Sequence, residues 1–278
     1  MKTKLLLYLS CALFVVSCTN EKAARKRLAL AEEIFQTGEL NSAKLHIDSI
    51  KILYPKEFGV QREGLTLMRK IELIEQQRNI HYCDSMLQVR LAEVEPLKKP
   101  LVLQKDTAYE EIGTWVSRFQ TVERNIKRSY IRSGVNEMGE MYIASVFYGK
   151  GALNHTGIRV SVGDETVETE IIPYDGGSNY RFTDLGMTSE IVTYKRPKDN
   201  GVIDLICRNA DKRIKVQYTG GKPYTLYMDD QAKKAIKDIY ELAIVLTDIE
   251  RLKKEILVST ARIEYLNSKL TSKESIEE

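Results

Sequence analysis

Apolar and polar positions along this chain follow three different periods. Leu5 to Val16 is one continuous apolar run, broken only by Ser10, and polar residues begin abruptly at Thr19. From about Glu21 to Glu95 the pattern is helical. Leu73, Ile80, Leu87 and Val94 recur every seven residues, with Cys83 and Leu91 filling in. Such spacing lines up one face of a helix. It predicts a first long helix over 58–95, of which the stretch from Gly64 on spans about 45 Å at 1.5 Å per residue. Glu95-Pro96 is expected to stop it.

Between Leu101 and Met228 the period drops towards two. Lys127–Val135 and Glu140–Tyr148 flank the turn signal Asn136-Glu137-Met138-Gly139 and read as a hairpin. Further short strands are expected at Gly157–Val162, Thr166–Ile172, Asn179–Phe182, Glu190–Lys195, Val202–Cys207, Arg213–Tyr218 and Tyr224–Tyr227. Tyr109 to Val122, which holds the single tryptophan Trp115, reads as either a strand or a short helix. Regular short strands joined by turns predict a β-sandwich or jelly-roll-like domain over 101–228.

After Asp229 the helical period returns. Leu242, Val245, Ile249, Leu252, Ile256, Ser259, Ile263, Leu266 and Leu270 keep a 3–4 spacing, the seam of a coiled coil. The two long helices, 58–95 and 229–270, each carry an apolar stripe that needs covering. An antiparallel pair that brackets an inserted β domain covers both. The expected fold class is therefore α+β: an N-terminal helical hairpin, a long antiparallel helical stalk and the inserted β domain. A homodimer zipped along 229–270 is the competing arrangement.

The apolar run at the start, preceded by Lys2 and Lys4, has the make-up of a secretory signal peptide over 1–17. It is well short of the ~20 apolar residues of a spanning helix. Val15-Val16-Ser17-Cys18 resembles the lipobox of bacterial lipoproteins, with an aliphatic residue three before and a small residue just before the cysteine. The resemblance implies cleavage before Cys18, diacylglycerol on its thiol and an acyl chain such as palmitate on its amino group. At ~0.8 kcal/mol per buried CH₂, two or three chains hold a protein firmly to a membrane. Thr19, rather than Asp, follows Cys18, which implies outer-membrane placement, facing either the periplasm or the cell surface.

Within 18–57, Leu30, Ala31, Ile34, Gly38, Leu40, Ala43, Ile47, Ile50 and Pro55 resemble one tetratricopeptide repeat. The resemblance implies two helices that cross at Ala31 and Ala43, a turn at Gly38 and a stop at Pro55. Arg27 stands where the motif has an aromatic residue, and no second copy follows. One repeat cannot bury both faces, so the hairpin must pack on another element. In layout the chain resembles lipoproteins of Bacteroides-type gut bacteria.

Composition adds exclusions. Removing Lys2 and Lys4 with the leader leaves 40 basic against 39 acidic residues, a balance that gives no reason to expect nucleic acid. After Cys18 only Cys83 and Cys207 remain, too few for a disulfide scaffold. The histidines are His46, His81 and His155, with no His-x-x-x-His or Cys-x-x-Cys pair, so neither metal nor cofactor is expected. No Gly-x-Ser-x-Gly or P-loop occurs. An enzyme would have to be built around His155 with Asp164 or Asp175.

Aromatic residues crowd the β region, among them Tyr142, Tyr148, Phe182, Tyr194 and Tyr218, and most are expected in its core. Pro173–Tyr180 is the best exposed tip, with Tyr174, Asp175 and Tyr180 as candidate ligand-binding residues. The expected function is that of a membrane-anchored envelope lipoprotein, a non-catalytic interaction or structural module with a protein partner in the envelope. The alternative is a carbohydrate-binding module on the β domain with a glycan ligand.

Overall fold

The computed structural model describes residues 20–105 and 108–277, with side chains described to residue 271. The leader and Cys18 lie outside the described residues. The fold is α+β, about 50% helix and 24% strand. The described residues divide into two compact units, one of residues 20–85 with 254–277 and one of residues 86–253. The division falls inside both long helices, α3 (Phe58–Lys98) and α5 (Asp230–Glu277), so neither is a domain by itself.

In the first unit, α1 (residues 20–36) and α2 (Leu40–Leu53) form the expected hairpin. Gly38 makes the turn at φ +85°, a backbone angle that costs glycine little. Ala31 and Ala43 are fully buried where the helices cross, whereas Leu30 points outward. Arg27 donates to Ser49 in place of aromatic packing. The hairpin packs on the start of α3: Val60, Leu67 and Ile71 join Ala24, Leu28, Ile47 and Ile50 in one cluster. Within the same unit α3 and α5 run antiparallel, tied by Arg262 to Glu72 at 2.7 Å and by Asn79 to Ser259 at 2.9 Å. The free thiol of Cys83 is buried on α3.

The second unit holds two antiparallel sheets. The larger runs in the order β1 (Leu101–Gln104), β2 (Thr114–Ser117), β3 (Tyr130–Asn136), β4 (Met141–Lys150), β8 (Met187–Lys195) and β7 (Asn179–Asp184). The smaller runs β10 (Tyr224–Tyr227), β9 (Lys215–Thr219), β5 (Gly157–Val162) and β6 (Glu165–Glu168). Ile143, Phe147, Val192 and Tyr194 from the first meet Ile158, Val160, Val216 and Tyr218 from the second in one core. Each such side chain contributes about 1.5–3 kcal/mol. The sheets thus face each other as in a sandwich. α4 (Val202–Arg208) and the first half of α5 complete the core, with Ile203, Ile206, Ile236, Ile239 and Leu242 wholly buried.

Several expectations need correction. Val202–Cys207 is α4, not a strand. Its apolar run is too short for periodicity to tell helix from buried strand, and the Asp199 carboxylate, two residues before the Gly201 N-cap, accepts the Ile203 N–H at 3.3 Å. Thr166–Ile172 leaves the sheet after Glu168, when Ile172 turns to bond Thr156 at 2.8 Å. Trp115 lies on a strand, followed by a 3₁₀ turn at Val122–Arg124. Pro96 does not stop α3, which runs to Lys98, because one lost N–H near a helix end is tolerable. Leu91 is 44% exposed, off the seam. Inside this unit α5 buries a stripe wider than a coiled-coil seam, including Ala235, Ala243 and Leu246, because it packs on the sheets as well as on α3.

Candidate functional site

Two places in the second unit bring chemistry-bearing side chains together. The first is buried. β4 aims Met141, Ile143, Ser145 and Phe147 inward, and β8 aims Thr188, Glu190, Val192 and Tyr194 the same way. Of the polar residues among them, Ser145 and Glu190 meet at His155, on the loop before β5. His155 Nδ1 lies 2.8 Å from Glu190 Oε2, and its Nε2 lies 2.9 Å from Ser145 Oγ. The carboxylate fixes the proton on Nδ1, so Nε2 accepts from the serine hydroxyl. Tyr194 Oη is 3.2 Å from the same hydroxyl. Glu190 also accepts backbone N–H bonds from Asn154 at 2.9 Å and His155 at 3.2 Å. Burial pushes its pKa up, but these hydrogen bonds outweigh burial and hold it below the usual carboxylate range.

Serine, histidine and carboxylate in this order form the relay of a hydrolase. Here all three are sealed: exposure is 0% for Ser145, 1% for His155 and 2% for Glu190. No substrate carbon reaches Ser145 Oγ in this conformation. The chain works instead as a satisfied polar clamp that ties the 151–156 loop to β4 and β8. His155 is therefore neither solvated nor paired with Asp164 or Asp175; its carboxylate is Glu190. The sign in the sequence was a glutamate on β8 in phase with the inward Val192 and Tyr194.

The second place is open. The outer face of the larger sheet carries cross-strand rows of side chains. Arg132, Ala144 and Thr193 form one row; Tyr130, Val146, Ile191 and Tyr180 the next; Tyr148, Ser189 and Phe182 the third. With the 122–128 loop on one side and the β7–β8 hairpin on the other, Arg132 and the second and third rows line a groove of about 460 Å³. Ile126 and Leu185, on the two lips, are 66% and 96% exposed. The floor is aliphatic, from Val146 and Ile191, with aromatic rings around it. Next to it, the Tyr142 ring covers Gly134, where an added Cβ would lie 2.7 Å from the ring. Burial raises the pKa of Tyr130 and of Tyr142, so both stay neutral hydroxyls at ordinary pH.

The basic lining residues, Lys127, Arg128 and Arg132, all belong to β3 or the loop that leads into it. Arg128 is ion-paired with Asp229. Arg132 has no ion pair among the described residues, and its buried Nε has no hydrogen-bond partner.

The structure separates the candidate residues of the Pro173–Tyr180 loop. Tyr180 faces the groove, whereas its strand neighbour Arg181 points to the opposite face and sits 4.9 Å from the Tyr174 ring. Tyr174 and Tyr180 therefore offer no shared stacking face. Asp175 accepts the backbone N–H groups of Asn179 and Gly177, both at 2.8 Å, which hold its pKa down and its carboxylate inside the loop. Tyr194 and Tyr218 are core residues as expected, but Tyr142, Tyr148, Tyr180 and Phe182 belong to the outer face. Strand order, which the sequence does not display, decides which rings share that face.

Among the described residues no group of three His, Cys, Asp or Glu side chains is placed to hold a metal ion. None of their helices is long and apolar enough to cross a membrane. Cys207, half-buried on α4, has its thiol pushed up by burial to about 12, far from a reactive thiolate. Comparison with protein-family models, with curated proteins and with solved structures finds no match to this chain.

Proposed function

We propose that this chain is an envelope lipoprotein, held to the outer membrane through acyl chains on Cys18, and that its second unit is a non-catalytic binding module. The observation that carries the binding role is the groove on the outer face of the larger sheet. Sheets of soluble domains usually turn polar side chains to water. This one turns out Tyr148, Tyr180 and Phe182 around the buried Tyr130, with exposed apolar residues on both lips. Contiguous exposed apolar surface rimmed by polar groups marks an interaction site. The sealed Ser145–His155–Glu190 chain supports a role without catalysis.

Filling the groove tests the reading. Ser189→Trp places an indole over the floor without touching the core. Wild type and variant, each purified from the native envelope, are compared by native mass spectrometry and by melting temperature. The expected result is an envelope component retained by wild type and lost from a variant that melts at the same temperature. Equal retention by both would rule the groove out as the binding site.

A further inference from the structure

Resting on the groove as the binding site, we propose that its ligand is a small monoanionic amphiphile, one carboxylate on an apolar body. Charge and shape both argue for it. Arg132 stands in the sheet between neutral tyrosines, with no acid to pair with among the described residues and a buried Nε that has no partner. A guanidinium partly withdrawn from water is stabilised by an anion that meets it. Arg128 already serves Asp229, so the free positive charge on this side belongs to Arg132 and Lys127.

The acid of the lining, Asp184, lies across the groove on β7. By sheet register it is three rows and three strands from Arg132, about 20 Å along the strands and about 14 Å across them. An anion is thus favoured at the β3 side and repelled at the far lip. That polarity suits one negative charge and disfavours a polyanion.

Between the two ends the floor is Val146 and Ile191, with Phe182 and Met187 beyond. Branched aliphatic groups offer no partner to the ring hydroxyls of a sugar, but they pack well against a hydrocarbon body. A space of about 460 Å³ matches a molecule of that size rather than a folded partner.

Isothermal titration of the full chain carrying Cys18→Ala, so that no attached acyl group competes, tests the proposal with decanoate and decan-1-ol. Both are kept below the concentration at which they self-associate. Decanoate is expected to bind at least tenfold more tightly than the alcohol. Arg132→Gln should bring decanoate to the level of the alcohol, and Phe182→Ala should weaken both. Circular dichroism melts confirm that both variants fold. Equal affinity for acid and alcohol, or a preference that survives Arg132→Gln, would overturn the proposal. If trigalacturonate binds while neither decyl compound does, the ligand class is wrong and the groove stands. If decanoate binds but Phe182→Ala and Ser189→Trp leave it unchanged, the groove itself is the wrong site.

Discussion

Glu190 sits at an inward position of β8, and its cost in isolation would be large, since a carboxylate with no partners is destabilising in a core. The His155 ring and two backbone N–H groups remove that cost and hold its pKa below that of an unfolded carboxylate. A lowered folded-state pKa contributes stability above the unfolded value of ~4.3, and this is lost as pH falls through the folded value. Glu190→Gln should therefore cost about 1–3 kcal/mol near neutral pH. The gap to wild type should narrow as pH drops below about 4. Thermal melts from pH 7 to pH 3 measure it, and a gap independent of pH would show that the carboxylate charge does not matter. Nothing in the local sequence names His155 as the partner, because the two residues lie on different strands or loops and meet only when β4 and β8 pair.

At the scale of elements, hydrophobic period carried most of the information. The seam of α5 is legible: Leu242, Val245, Ile249, Leu252 and Leu266 are buried, and Ile256, Ile263 and Leu270 half-buried. Period two was equally clear in Gly157–Val162 and Tyr224–Tyr227, whose strand limits coincide with the expected ones. It failed at Val202–Cys207, where an unbroken apolar run has no period to read. Ile249 is 4% exposed in the core of the second unit, whereas Lys254 faces water. Ile249→Asp should lower stability by several kcal/mol, roughly the lost apolar transfer plus the penalty for a buried charge. Lys254→Asp should stay within about 0.5 kcal/mol of wild type. Chemical denaturation compares them, and equal losses would mean that the α5 seam does not carry the fold.

For the whole molecule, attachment and recognition are separate properties with separate tests. The proposed attachment rests on Val15–Cys18, with acyl chains supplying the membrane affinity at ~0.8 kcal/mol per buried CH₂. Metabolic labelling with a clickable palmitate analogue should mark wild type and leave Cys18→Ala unlabelled, and the variant should move from the membrane to the soluble fraction. Equal labelling of the two would sink the lipid anchor. The proposed recognition rests on the second unit, and a groove variant such as Ser189→Trp should leave both labelling and fractionation unchanged.

Sequence alone was enough for the α+β class, the α1–α2 hairpin with its alanine crossing, the seam of α5 and the β3–β4 hairpin. Each of these is local: a period of 3.6 or 2, a small residue at a crossing, or a turn signal between two runs expresses itself within a few tens of residues. Only the tertiary structure decided which strands are neighbours, and everything chemical followed from that. Pairing β4 with β8 closed Ser145, His155 and Glu190 into a sealed chain, and adding β7 at the edge put Tyr180 and Phe182 beside Tyr148 while sending Tyr174 to the other face. Strand order is a product of long-range packing between sheets, so the alternation inside each strand shows two faces but not what stands opposite either of them.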